Sequence, residues 1–254
     1  MTTLHSLLVN THVAIGAIAL LLFWVPAFAR KGSPLHVGAG RVYVVCMYAV
    51  AVTAFVASLM MIADPLGIRF PQGLPVGANA GRVAAGNRAG SLFLLMLSVL
   101  VTASVRHGTA ALRERRHPGE LARPLHRILV ATLGVLAVIS IGMGLWFGHL
   151  LLIIFGGIGL LAAIGMFRET QRRDMSPREL VVVHLNGLIG SGIGAYTAFF
   201  AFGGRSFLGE VLPGQWQVIP WILPTVIGVI AGSRISRRWL GQRGAGQRAP
   251  EPQR

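Results

Sequence analysis

The chain has 254 residues, 54% of them hydrophobic and only 12% charged, with a mean hydropathy of +0.66 and a formal net charge of +15. Soluble domains are about a quarter charged, so this composition excludes a water-soluble fold, and the arginines lie between apolar runs, where they report topology and not a nucleic-acid partner. The single cysteine, Cys46, falls inside an apolar run and excludes an internal disulfide and any cysteine-based zinc or iron–sulfur cluster.

A helix crossing the hydrocarbon core needs ~20 mostly apolar residues. In chain order the candidates lie near 8–29, 42–63, 90–106, 128–147, 149–167, 180–203 and 217–235. The expected fold class is therefore all-α, a polytopic bundle of seven spans in one domain over residues 1–240, followed by a polar cytoplasmic tail, 241–254, rich in Gly, Pro and Gln. The many glycines sit within the apolar runs, where small residues let helices approach closely. The fourth and fifth runs are almost continuous around Trp146-Phe147-Gly148-His149, which leaves open whether both cross, and Pro220 and Pro224 predict a kink in the seventh.

Placing the first connection in the cytoplasm puts 19 of the 23 Lys and Arg residues inside and leaves only Arg69, Arg82, Arg88 and Arg205 outside. This bias predicts an outer amino terminus and a cytoplasmic carboxyl terminus. Ala27-Phe28-Ala29 has the small-x-small form of a signal cleavage site. No basic residue precedes Arg30, however, and the charge just after the run favours retention as an anchor.

Three runs that start on the cytoplasmic side open alike: Ser33-Pro34-Leu35-His36, Arg123-Pro124-Leu125-His126, and Ser176-Pro177-Arg178-Glu179 leading to His184. Proline suits the first helical turn, and Ser176 with Glu179 has capping-box spacing. His36, His126 and His184 are thereby expected near one inner-side cavity. Helix amino termini keep imidazole neutral, the state a metal ligand requires. Arg41, one turn into the second run, either snorkels to the phosphate layer or clamps an anion such as a heme propionate. His12, with Asn10 and Tyr48, marks a separate outer polar site, to which Thr53 and Asp64 could also belong. His107 and His117 lie in the arginine-rich segment RHGTAALRERRHPGELARPLHR and read as parts of a solvated basic loop. No helix carries one histidine near each face, so a transmembrane pair of hemes is not expected. No Walker motif, nucleophile elbow, HExxH or paired-acid pattern points to a catalytic residue.

The segment His36-Val-Gly-Ala-Gly40-Arg41-Val-Tyr43, with His12 in the run before it, resembles the uncharacterised bacterial membrane proteins grouped as domain of unknown function 2306. In that group a histidine starts the first span, an H-x-x-x-G-R-x-Y element opens the second, and a late helix starts with histidine and ends near arginine. His184 and Arg205 match the last feature, while Leu185-Asn186-Gly187 departs from the basic or aromatic residues found there. The resemblance covers most of the chain. It implies a bacterial cytoplasmic (inner) membrane protein and no particular activity.

Two functions remain in view. One is a membrane protein whose histidine-lined inner cavity binds one heme b, or another anionic cofactor, through His36 and His184 with His126 and Arg41 beside them, in a redox role. The other is a non-catalytic membrane protein or small-molecule transporter with structural histidines. The lipid bilayer is the one partner that both require.

Overall fold

The computed structural model describes residues 1–204, 216 and 218–241. Among them the elements are helical, with no strand: α1 (Thr2–Phe28), α2 (Pro34–Ala63), the short α3 (Pro65–Arg69), α4 (Ala80–Glu114), α5 (Pro124–Phe147), α6 (Leu150–Gln171), α7 (Pro177–Ala198), a π-helical turn (Phe199–Gly203) and α8 (Val218–Gly241). All but α3 and the π-turn are long and apolar enough to cross a membrane, seven helices in total among the described residues. The protein is a multi-pass membrane bundle. Its outer surface is made of side chains such as Leu21, Phe28 and Leu161, 76%, 82% and 72% exposed, which lipid solvates and water would not. Arg205 and residues 242–254 of the expected tail lie outside the described residues, and Gly241 closes α8.

The helix starts follow local chemistry. Ser33 caps α2, its hydroxyl accepting from the His36 N–H at 3.2 Å, with Pro34 in the first turn. Ser176 and Glu179 form a reciprocal capping box at the start of α7, and Asn79 caps α4 by accepting from Arg82 N–H at 2.9 Å. Each satisfies backbone donors that a helix leaves orphaned at its amino end.

α4 is the centre of the bundle. Its 35 residues extend about 50 Å at 1.5 Å per residue, against a hydrocarbon core of ~30 Å, and its most apolar stretch is 72% buried. α2, α5 and α7 pack around it, α1 lies outside α2, α6 packs on α5, and α8 packs on α7. Contrary to the loop expected after residue 106, the helix runs on to Glu114, and His107, Gly108, Ala110 and Ala111 are all buried.

Both runs on either side of Trp146-His149 are full helices, of 24 and 22 residues. Gly148 turns the chain between them in the left-handed region, φ +69°, a conformation that glycine adopts without a Cβ penalty. They pack as a tight antiparallel hairpin: a Cβ on Gly156 would come 2.9 Å from the Ala137 carbonyl oxygen. This hairpin brings the start of α5 and the end of α6 to the same end of the bundle. In α8, Pro220 falls in the first turn, where its missing N–H costs nothing, and Pro224 lies within the helix.

Candidate functional site

The hairpin and the long α4 together build a buried acid–histidine–histidine chain at the basic end of the bundle. His126 is the third residue of α5, Glu169 lies in the last turn of α6, and His107 faces both from α4. His107 Nδ1 and His126 Nε2 share a hydrogen bond of 2.8 Å, and His107 Nε2 pairs with Glu169 Oε2 at 2.6 Å. The imidazoles are 2% and 0% exposed, while the Glu169 side chain is 33% exposed. Around them, Arg127 Nη2–H donates to the Thr170 carbonyl at 3.4 Å.

Because each neutral imidazole has one N–H and one lone pair, the chain admits two proton arrangements. With Glu169 ionised, His107 Nε2–H donates to it and His107 Nδ1 accepts from His126 Nε2–H. A proton added at His126 Nδ1 then moves His126 Nε2–H to His107 and His107 Nε2–H to Glu169, giving a neutral carboxyl. His126 Nδ1, where such a proton would enter, is buried with no hydrogen-bond partner among the described residues.

Glu169 and His107 also border a cavity of about 260 Å³ between α4, α6, α7 and α8. Among the described residues α6 follows α5 and does not pack appreciably against α7 or α8, and the cavity lies in the space this leaves. Its walls are almost wholly apolar. Gly187, Gly190 and Gly194 line it from α7, and Phe155 and Ile158 from α6. At the far end stand Thr197 of α7 and Thr225 of α8, whose hydroxyls are buried and have no hydrogen-bond partner among the described residues.

The structure divides the three histidines expected together. His184 Nδ1–H donates to the Gly108 carbonyl at 2.9 Å, on the α7 side of α4, whereas His126 bonds to His107, the preceding residue, on the α5 side. His36 Nδ1–H donates to the Pro26 carbonyl at 2.9 Å. That carbonyl also accepts from Lys31 Nζ at 2.9 Å, and Ala27 O accepts from the same ammonium at 2.7 Å. His36 and Lys31 together satisfy the orphan carbonyls ending α1, a carboxyl-terminal cap made by basic side chains. Partial burial pulls the Lys31 pKa below the usual lysine value. His184 lies within electrostatic reach of His36 and Lys31. Arg41 is exposed.

His12 follows the same pattern. Its Nδ1 donates to Val50 O at 2.9 Å and lies 3.3 Å from the Thr53 hydroxyl, tying α1 to α2. Asn10 is exposed and Tyr48 packs in the apolar cluster of Tyr43, Met47 and Ala51, while Asp64 caps α3 through Gly67 N–H. No described contact brings these three to His12. In His12, His36 and His184 alike the bond to a carbonyl places a proton on Nδ1, and Nε2 has no hydrogen-bond partner among the described residues, the tautomer in which metal-bound histidines are commonly held. Among the described residues no group of three or more His, Cys, Asp or Glu side chains is placed to hold a metal ion.

The residues that sequence reasoning passed over are His107 and Glu169. A signal was present: Ala103, His107, Ala110 and Ala111 recur at helical spacing on either side of Arg106, with small residues on the face that proves buried. Neither a protein-family model, a curated protein nor a solved structure matches the chain.

Proposed function

We propose that this protein binds a lipid-soluble small molecule in the cavity between α4, α6, α7 and α8 and exchanges a proton with it through Glu169, His107 and His126. The observation that carries this reading is the 2.6 Å pair between Glu169 and the buried His107 at the wall of an otherwise apolar cavity. Buried ionisable groups in a membrane protein are costly and mark functional sites by default, and a neutral histidine between two hydrogen-bond partners relays a proton by exchanging its tautomer. In this reading the amino terminus is outside, as the arginine distribution suggests, and the membrane is a bacterial cytoplasmic one, as the resemblance to domain of unknown function 2306 suggests. In that orientation the Glu169 end of the cavity is cytoplasmic.

The test is extraction of the full chain from cell membranes directly into lipid nanodiscs, followed by mass spectrometry of organic extracts. The expected result is one apolar molecule enriched over bulk lipid in the wild type and depleted in a Glu169→Gln, His107→Leu double variant. Identical extracts from both proteins would refute the reading.

A second reading keeps heme b, or another anionic cofactor, at His36 and His184 in a redox role. What favours it is the shared tautomer: both Nδ1 atoms are held by carbonyls at 2.9 Å, and both Nε2 lone pairs are left for a ligand. In that case His36 and His184 would hold the group through their Nε2 atoms, and the group would supply the electron chemistry when bound. The cavity that Glu169 borders is lined by neither residue, so the two readings concern different places in the bundle.

A further inference from the structure

The shape of the cavity and the chemistry of its two ends restrict what it can take. Val183 and Thr197 both line it from α7, and they are about 20 Å apart along the helix axis at 1.5 Å per residue. A volume of about 260 Å³ spread over that length has room for about one hydrocarbon chain and is too small to enclose a two-chain lipid or a flat macrocycle. Small residues make the α7 wall, so a chain lies against backbone. A Cβ built on Gly190 meets only the Ser104 side chain, at 3.7 Å. Among the described residues α6 and α8 do not pack appreciably against each other, and the groove lies between them.

The ends differ. At one, the Glu169 carboxylate, one-third exposed and paired to His107 at 2.6 Å, repels an anionic head and accepts a hydrogen bond from a neutral or cationic one. At the other, the Thr197 hydroxyl is buried in a residue only 1% exposed and is unpartnered among the described residues, with the unpartnered Thr225 hydroxyl also lining the wall. Buried hydroxyls are nearly always hydrogen-bonded, and a wholly apolar tail would leave these two unpaired.

From this we infer that the ligand is a single-chain amphiphile of about 20 Å, with a non-anionic, hydrogen-bond-donating head against Glu169 and His107 and a second polar atom against Thr197 and Thr225. The inference rests on the reading of the cavity as a binding site and names the class of its ligand. Proton exchange is a separate matter, because the fit depends on the groove and its ends and not on proton movement.

The probe is a photoactivatable long-chain diol, compared with the matching mono-alcohol and with a chain ending in a carboxylate, on the full protein in nanodiscs with cross-links mapped by peptide mass spectrometry. Diol labelling is expected on the lining faces of α6, α7 and α8. Gly190→Leu, which extends a side chain into the groove, should cut it about tenfold or more, a change of roughly 1.4 kcal/mol. Gly142→Leu, at an exposed glycine with open space around it, should leave it unchanged. Thr197→Val, nearly isosteric, should erase a diol preference over mono-alcohol of about threefold to tenfold, the worth of one hydrogen bond. Glu169→Gln should remove the discrimination against carboxylate. Equal labelling of wild type and Gly190→Leu overturns the site, and a wild type that prefers the carboxylate, or a Thr197→Val protein that keeps the diol preference, overturns the ligand chemistry. Labelling as expected, with a Glu169 carboxyl that does not respond to the bound diol, supports this site and removes the proton exchange alone.

Discussion

Gly187 of α7 sits so close to Gly108 of α4 that a Cβ on Gly187 would lie 2.7 Å from both the nitrogen and the Cα of Gly108. This backbone-to-backbone crossing places the Gly108 carbonyl within reach of His184 and sets α7 as one wall of the cavity. Close approach of this kind drives helix association in membranes, where apolar burial contributes little.

Gly187→Ala is accordingly expected to destabilise the bundle by about 1–3 kcal/mol through overpacking. Gly190→Ala, facing ordinary contact distances at 3.7 Å, should change stability by no more than ~0.5 kcal/mol. Thermal unfolding in mild detergent, followed by tryptophan fluorescence, compares them. Equal stability of the two variants would contradict the crossing.

His107 and His126 should behave as a unit. Single leucine variants are each expected to cost about 1–3 kcal/mol by leaving a buried partner unsatisfied. The double variant should cost less than their sum, with a coupling of ~1 kcal/mol, within the range of interhelical hydrogen bonds in membranes. Additive unfolding free energies would mean that the 2.8 Å contact contributes nothing.

Orientation is open to labelling. In a Cys46→Ser background, Thr3→Cys should react with an impermeant maleimide on intact cells, and Arg116→Cys should react only after permeabilisation. The reverse pattern would turn the bundle over and put Glu169 at the outer face.

The heme reading predicts a Soret band in protein purified in mild detergent, lost in both His36→Ala and His184→Ala. A colourless preparation, or a band that survives both substitutions, removes it and leaves His36 as the cap of α1 and His184 as a bond between α7 and α4.

Much of the fold was legible because each crossing helix contains a long, mostly apolar stretch, and because Ser33-Pro34 and Ser176-Pro177-Arg178-Glu179 announce helix starts by local chemistry. The site was less so. Hydropathy falls after Arg106, yet α4 continues because Gly108, Ala110 and Ala111 pack against neighbouring elements, and that burial belongs to tertiary structure. The same packing separates His126 from His184: adjacent positions on α4 face different helices, and only the arrangement of α5 and α7 around it decides which histidine meets which. Glu169, at a span end next to Arg168, reads as a solvated charge until the α5–α6 hairpin carries it to His107.

Infrared difference spectroscopy of the full chain in nanodiscs, recorded through a pH titration, tests proton exchange most directly. A protonated-carboxyl band that disappears in Glu169→Gln identifies the group. The account predicts that His126→Leu, which touches no atom of Glu169, shifts the midpoint of that band, because the proton is shared along the chain through His107. A Glu169 band whose midpoint is the same in wild type and His126→Leu would contradict it.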